Sequence, residues 1–208
     1  RVFMPKFGAI SERKYQLHEV IRLSGMNIII NDLDQPLIIK VASLPGERLQ
    51  VYFIDNEEYF KRKQYYTDEE GKPFEDNDER AIFFARGVIE TIKKLNWVPD
   101  VVYLSGWMSV FIPIYLKYYY KSDSYFQDTK FVLSIYNEED VVLGDEVSQK
   151  LAFDNVVDVK AIERPTTQNF VAESMGLVDE LIKGDKKLDK TLENAYKQSE
   201  TPKSELED

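Results

Sequence analysis

Three short stretches hold the residues that chemistry could use. Ser105-Gly106-Trp107 follows the apolar run Pro99-Asp100-Val101-Val102, and Ile135-Tyr136-Asn137 ends a second run of the same kind. Glu75-Asp76-Asn77-Asp78-Glu79-Arg80 opens a long helical pattern. The first two fall at the carboxyl ends of expected parallel strands, where open α/β sheets bind their ligands. An indole and an amide there suit sugar recognition, since the ring stacks on a pyranose face and the amide bonds hydroxyls in two directions. Trp107 reads equally well as core packing. In the third stretch, helix capping accounts for Asp76 and Glu79, which have capping-box spacing, but not for Asn77 and Arg80.

Other candidates carry less. His18 is the single histidine of the chain, so a histidine metal site or a Ser-His-Asp relay lacks its partners. Asp68-Glu69-Glu70 reads as a solvated acidic loop. Neither standard glycine-rich phosphate loop occurs. No metal site or cofactor is expected. With no cysteine, disulfides, thiolate zinc sites and cysteine nucleophiles are excluded.

The elements that must position these residues follow from periodicity. Met26–Ile30, Leu37–Ala42 and Leu49–Ile54 are Ile- and Val-rich strands, divided by Asn31-Asp32-Leu33-Asp34 and Pro45-Gly46. Their tight connections imply antiparallel or mixed pairing at a sheet edge. Residues 55–75 form a long polar and aromatic loop. Ala81, Phe84, Ala85, Val88, Ile89, Ile92 and Leu95 recur at helical spacing, with Lys93 and Lys94 in the last turn. Then come a strand at Asp100–Leu104, a helix at Ser109–Tyr120 and a strand at Phe131–Ile135, a βαβ unit with parallel pairing. Helices are expected at Glu146–Phe153 and Asn169–Lys183. The boundaries that result are one domain over 1–183 and a polar tail over 184–208, read as a surface helix on the weak stripe Leu188, Leu192 and Tyr196 that frays into disorder. Arg1-Val2-Phe3-Met4-Pro5 reads as the end of a strand already under way, so a strand and a helix are expected before residue 1.

Composition narrows the partners. The chain has 208 residues, 12 Phe, 13 Tyr and 2 Trp, enough for a large core or a stacking surface. Its net charge of -10 opposes binding to nucleic acid or anionic lipid. A neutral ligand such as a carbohydrate is indifferent to that field. No apolar run approaches the ~20 residues that span a bilayer. The absence of cysteine and of a visible signal peptide leans toward a cytoplasmic location.

Taken in order, the stretches resemble a known family. Met4-Pro5-Lys6-Phe7-Gly8, Val51-Tyr52-Phe53-Ile54-Asp55 with Tyr59-Phe60, Asp76-Asn77 with Arg80 and Phe83, Trp97-Val98-Pro99-Asp100-Val101-Val102 and Ile135-Tyr136-Asn137 are similar to motifs of the N-terminal, starch-synthase catalytic domain of glycogen and starch synthases, glycosyltransferase family 5. The likeness runs from Arg1 to about Asn137, two-thirds of the chain. It implies a Rossmann-like three-layer α/β domain, the N-terminal half of a GT-B fold, with a mostly parallel sheet and short antiparallel edge strands. It also implies transfer of glucose from ADP-glucose to an α-1,4-glucan with retention. In such enzymes the N-terminal half holds acceptor glucan, and a separate C-terminal domain holds the nucleotide. On this resemblance the substrate-binding residues are Trp107, Asn137, Asn77, Arg80, Ser105, Gly106 and Tyr136, with no catalytic residue assigned.

The departures from the family pattern matter as much. Tyr103, Ser105 and Met108 stand where the family places histidines, Gly106 where it places an aspartate, and Tyr136 where it places a histidine. A thioether cannot donate the hydrogen bond that an imidazole gives to a sugar hydroxyl. The family's Lys-x-Gly-Gly-Leu donor loop falls before residue 1, and the ~70 residues after Asn137 are too few for a second Rossmann unit. The expectation is a shortened and degenerate glucosyltransferase domain. A non-catalytic glucan-binding or regulatory module on the same half-domain is the alternative, and a Rossmann-like domain of unrelated function is a third reading.

Overall fold

In the computed structural model, which describes residues 1–144 and 146–205, apolar alternation and turn chemistry set the first strands. They are β1 (Val2–Pro5), β2 (His18–Glu19) after the short helix α1 (Glu12–Tyr15), β3 (Met26–Ile30), β4 (Leu33–Ser43) and β5 (Gln50–Asp55). Asn31 and Asp32 both take positive φ, 45° and 62°, which gives the two-residue hairpin between β3 and β4. That hairpin starts β4 at Leu33, earlier than expected, and carries it through Pro36. β5 pairs with β4 antiparallel and with β1 parallel, Val2 opposite Val51 and Pro5 opposite Ile54. The sheet order is β1-β5-β4-β2, with β3 on β4.

Two helices complete this unit, α2 (Glu57–Phe60) and α3 (Asn77–Lys94). Ala81, Phe83, Ala85, Leu37, Ile39, Ile54 and Phe60 are fully buried. α3 lies close on the sheet at Gly87, where an added Cβ would sit 2.9 Å from Ile54 Cγ2. The capping box expected at its start does not form, and Asp76 makes no side-chain cap. Its carboxylate pairs with Arg62 instead, and Glu79 accepts from the Tyr59 hydroxyl at 2.8 Å. A stronger charged partner displaces the cap.

The chain divides into two compact units, 1–96 and 97–208, where the sequence reading drew its only boundary after residue 183. The second unit is a parallel βαβ array: β6 (Val101–Ser105), a 3₁₀ turn Trp107–Val110 leading into α4 (Phe111–Tyr118), β7 (Lys130–Ile135), α5 (Val147–Phe153), a 3₁₀ turn Lys160–Glu163, α6 (Thr167–Ser174), β8 (Glu180–Lys183), α7 (Lys190–Gln198) and β9 (Lys203–Glu205). The sheet order β6-β7-β8-β9 follows the chain, and every pair is parallel. Pro113 sits in the first turn of α4, where its missing N–H costs little.

Two expectations change here. The single helix expected over 169–183 splits, because α6 ends before Gly176 and Leu181 is fully buried in β8. Asp179 fixes the entry of β8 by accepting from Phe131 N at 2.9 Å. Pairing in the sheet overrides a weak helical pattern. The tail from residue 184, expected as a surface helix that frays, keeps its helix as α7 and continues into the strand β9. Leu188, Leu192 and Tyr196 are buried, so a sparse apolar stripe suffices to dock the helix. The last three residues of the expected tail, 206–208, lie outside the described residues. No helix among the described residues is long and apolar enough to cross a membrane.

Candidate functional site

The carboxyl ends of β6 and β7 form a crevice. Gly106, Trp107, Ser134, Tyr136, Glu138 and Gln168 line it, over an apolar base that includes Leu133 and Leu192. The parallel register sets Ser105 opposite Ser134, so both strands end together. Gly106 makes the turn at φ 82° and ψ 145°, a conformation that glycine adopts without strain. Ser109 closes the turn, its N–H and hydroxyl both donating to Gly106 O, at 3.0 and 2.7 Å. The cavity volume is about 10 Å³, room for one water-sized group.

The sequence-predicted residues take different parts. Gly106 and Tyr136 line the crevice, and Ser105 is exposed at the end of its strand. Tyr136 lies flat on Gly184, where a Cβ would come within 2.4 Å of the ring. Trp107 takes the core role, since its side chain is 1% exposed and packs edge-on against Phe111. Its ring faces are covered by protein, not offered to a sugar.

Asn137 is also committed to the fold. Its backbone N–H donates to Asp185 at 2.6 Å, its amide nitrogen donates to Lys187 O at 2.7 Å, and its amide oxygen accepts from Asp189 N at 2.7 Å. The amide assigned to sugar hydroxyls is thus a clip on the loop after β8. Asn137→Ala is expected to cost about 1–2 kcal/mol, with faster hydrogen exchange confined to residues 185–189.

Asn77 and Arg80 belong to the first unit, where both are fully buried. Arg80 Nη1 donates to Asn77 Oδ1 at 2.7 Å, and Asn77 Nδ2 donates to Tyr66 O at 2.8 Å. The Arg80 guanidinium lies 5.4–5.7 Å from the ring centres of Phe74, Phe60 and Phe7. Burial pulls its pKa down to about 10, with the Arg62 charge adding to that and Asp76 opposing it. The pair therefore fastens the loop before α3 to the helix that follows. A second charged group sits at the ends of β1 and β5, where Lys40 bridges Asp55 and Glu12, and Lys6 also holds Glu12, at 2.7–2.9 Å.

Sequence reasoning missed Glu138. Its carboxylate turns into the crevice and accepts from Trp107 N at 3.2 Å. Burial pushes its pKa up, and the Trp107 N–H partly offsets the rise. Within Asn137-Glu138-Glu139-Asp140 it reads as one more solvated acid, and only the fold shows which of the three turns inward.

A Rossmann-like parallel sheet with a crevice at its strand ends defines the class, an α/β domain of the GT-B type. The family model of the starch synthase catalytic domain, glycosyltransferase family 5, matches residues 1–190, and the chain belongs to that family. It is 41% identical over 153 residues to a glycogen synthase of Chlorobium limicola, covering 73% of this chain and 31% of that one. It is 38% identical over 138 residues to a glycogen synthase of Chlorobaculum tepidum, covering 66% and 28%. The catalytic domain of starch synthase IV from Arabidopsis thaliana, solved bound to ADP and acarbose, shares the fold with a TM-score of 0.65 at 15% identity, over 88% of this chain and 37% of that one. The chain spans under a third of the length of these curated relatives.

Proposed function

We propose that this chain is the glucan-holding part of a glycogen- or starch-synthase-type glucosyltransferase, and that the 208-residue chain alone binds α-glucan without turning over donor. The observation that carries the second half is the composition of the strand-end crevice. Its ionisable lining residues are Tyr136 and Glu138, and Met108, where the family has a histidine, is buried. Such a site has groups to bind hydroxyls and lacks the cationic and imidazole groups that would favour a transition state over a ground state. The residues after Asn137 complete the parallel sheet of the same unit, so they supply no second nucleotide-binding domain.

On this reading ADP-glucose is the donor, held by a separate C-terminal domain, and the setting is cytoplasmic glycogen synthesis. Ser105, Gly106 and Tyr136 contact the sugar, while Trp107, Asn137, Asn77 and Arg80 shape the domain that presents them. The test pairs two measurements on the purified chain. Calorimetry with maltotriose or a glycogen gel-shift is expected to show binding, and radiolabelled ADP-glucose with a glycogen primer is expected to give no incorporation above background. Incorporation would overturn the inactive reading, and absence of any glucan binding would overturn the glucan reading.

A further inference from the structure

The carboxyl ends of β1 and β5, the parallel pair of the first unit, carry an ion cluster that the strand-end crevice does not use. Lys6 follows β1, Asp55 closes β5, and Lys40 reaches them from β4. Both ammonium groups meet one oxygen, Glu12 Oε1, Lys6 at 2.9 Å and Lys40 at 2.7 Å, and Lys40 also holds Asp55 at 2.8 Å. The two lysine side chains are 12% and 19% exposed, while that of Glu12 is 42% exposed. The cations are therefore built into the sheet, and the anion between them comes from outside it. Burial would lower the Lys40 pKa, yet Asp55 and Glu12 outweigh it and hold it above its ordinary value. Lys40 and then Lys6 hold the Glu12 carboxyl below the usual carboxylate range, against its burial.

The segment that supplies Glu12 is lightly attached. α1 has no buried residue. The backbone hydrogen bonds of residues 10–17 run within residues 7–17: Ile10 N to Phe7 O, Tyr15 N to Ser11 O and Leu17 N to Glu12 O, with Lys14 N on Ser11 Oγ. Within 9–17, Ile10, Glu12 and Leu17 are half-buried and the rest are exposed. Such a segment lifts without breaking a strand, since β1 ends before it and β2 begins after it at His18. Lifting it leaves Lys6 and Lys40 against Asp55 alone, a net positive pair. Exposed Arg13 and Lys14 beside Glu12 keep the approach positive in a chain whose net charge is -10.

We propose that Lys6 and Lys40 form a site for a phosphate group, and that residues 9–17 are a strap whose Glu12 carboxylate fills the site until a phosphate displaces it. A phosphate offers a separate oxygen to each ammonium group, where the carboxylate gives them one oxygen to share. Parallel sheets bind ligands outside the carboxyl ends of their strands, which is where these lysines stand. The proposal is independent of the glucan-binding reading, because it uses residues of the first unit alone. Glu12 acts as an internal competitor. A phosphate binds only after the strap lifts, so the affinity of the chain is reduced in proportion to the share of molecules with the strap closed.

The experiment is hydrogen exchange by mass spectrometry on the full 208-residue chain, beside calorimetry with inorganic phosphate and with glycerol phosphate as the esterified form. In the unmodified chain, phosphate is expected to speed exchange in residues 9–17 severalfold and to leave β4 and β5 unchanged. Sodium chloride at equal ionic strength should leave the strap as it was, which separates binding from screening. Glu12→Gln is expected to speed exchange in the same segment without phosphate, and to bind phosphate about tenfold more tightly than the unmodified chain. Lys6→Met placed on Glu12→Gln should remove that binding. Tighter binding of glycerol phosphate than of inorganic phosphate assigns the site to an esterified group, and the reverse order assigns it to the free ion. Equal phosphate affinity in the unmodified chain and Glu12→Gln overturns the proposal, since no competition then exists. So does faster exchange throughout β4 and β5 in Glu12→Gln, which would make Glu12 a support of the whole unit. The unmodified chain decides the matter even if a variant fails to fold, because a strap whose exchange phosphate leaves unchanged is not displaced by it.

Discussion

Trp107→Ala is expected to destabilise the 97–208 unit by about 3–5 kcal/mol, the range for deleting a buried tryptophan from a packed core. The indole is 1% exposed and stands edge-on to Phe111 at 6.5 Å between ring centres. Phe111 in turn stacks on Phe170 of α6 at 4.7 Å, so the ring begins an aromatic column joining the crevice turn to α6. Removing it opens a void beneath Gly106 and loosens the turn that carries the Trp107 N–H to Glu138. Urea unfolding followed by far-ultraviolet circular dichroism measures the loss, and the denaturant midpoint should shift without a change in slope. The opposite pattern, a loss under about 1 kcal/mol with glucan affinity abolished, would mean that the indole faces the sugar.

The shape of the strand-end turn was legible in the sequence, and the exposure of its residues was not. Asp100 to Leu104 reads as a strand, and Ser105-Gly106-Trp107 as a turn, because β-propensity and glycine's tolerance of positive φ are local properties. Whether Trp107 faces solvent or core depends on Phe111 and Phe170, and the second lies far along the chain. Asn137 misleads for the same reason. An exposed amide at a strand end suits a ligand, but its partners are the backbone groups of a loop some fifty residues later. Strands β1, β3, β4 and β5 and helix α3 were legible because alternation, helical spacing and the Asn31-Asp32 turn agree on one answer, while the two-residue β2 was not. Past residue 167 only the helices showed, α6 as the start of a longer one and α7 as a weak stripe, while β8 and β9 did not, since each is short, carries few apolar residues and gains its stability from the sheet it joins.

Arg80 gives the second large effect, and two substitutions there separate volume from charge. Arg80→Ala is expected to cost about 3 kcal/mol, because it leaves a void among Phe7, Phe60 and Phe74 and strands the Asn77 amide oxygen. Arg80→Met fills most of that space with an unbranched apolar chain. It also strands Asn77 Oδ1, but it removes two nitrogens, Nε and Nη2, that are buried without a hydrogen-bond partner. It further removes a buried charge that lies near a second cation, Arg62. These changes oppose one another, so Arg80→Met should lie within about 1 kcal/mol of the parent chain, as when buried charges are replaced by apolar side chains of similar volume. Hydrogen exchange adds a local readout, since Asn77 Nδ2 holds Tyr66 O and both variants should speed exchange in the loop that leads to Phe74. Urea midpoints for the two variants decide the matter. If Arg80→Met is as damaging as Arg80→Ala, the positive charge itself stabilises this unit, and packing with the Asn77 bond is not the whole of what the arginine does.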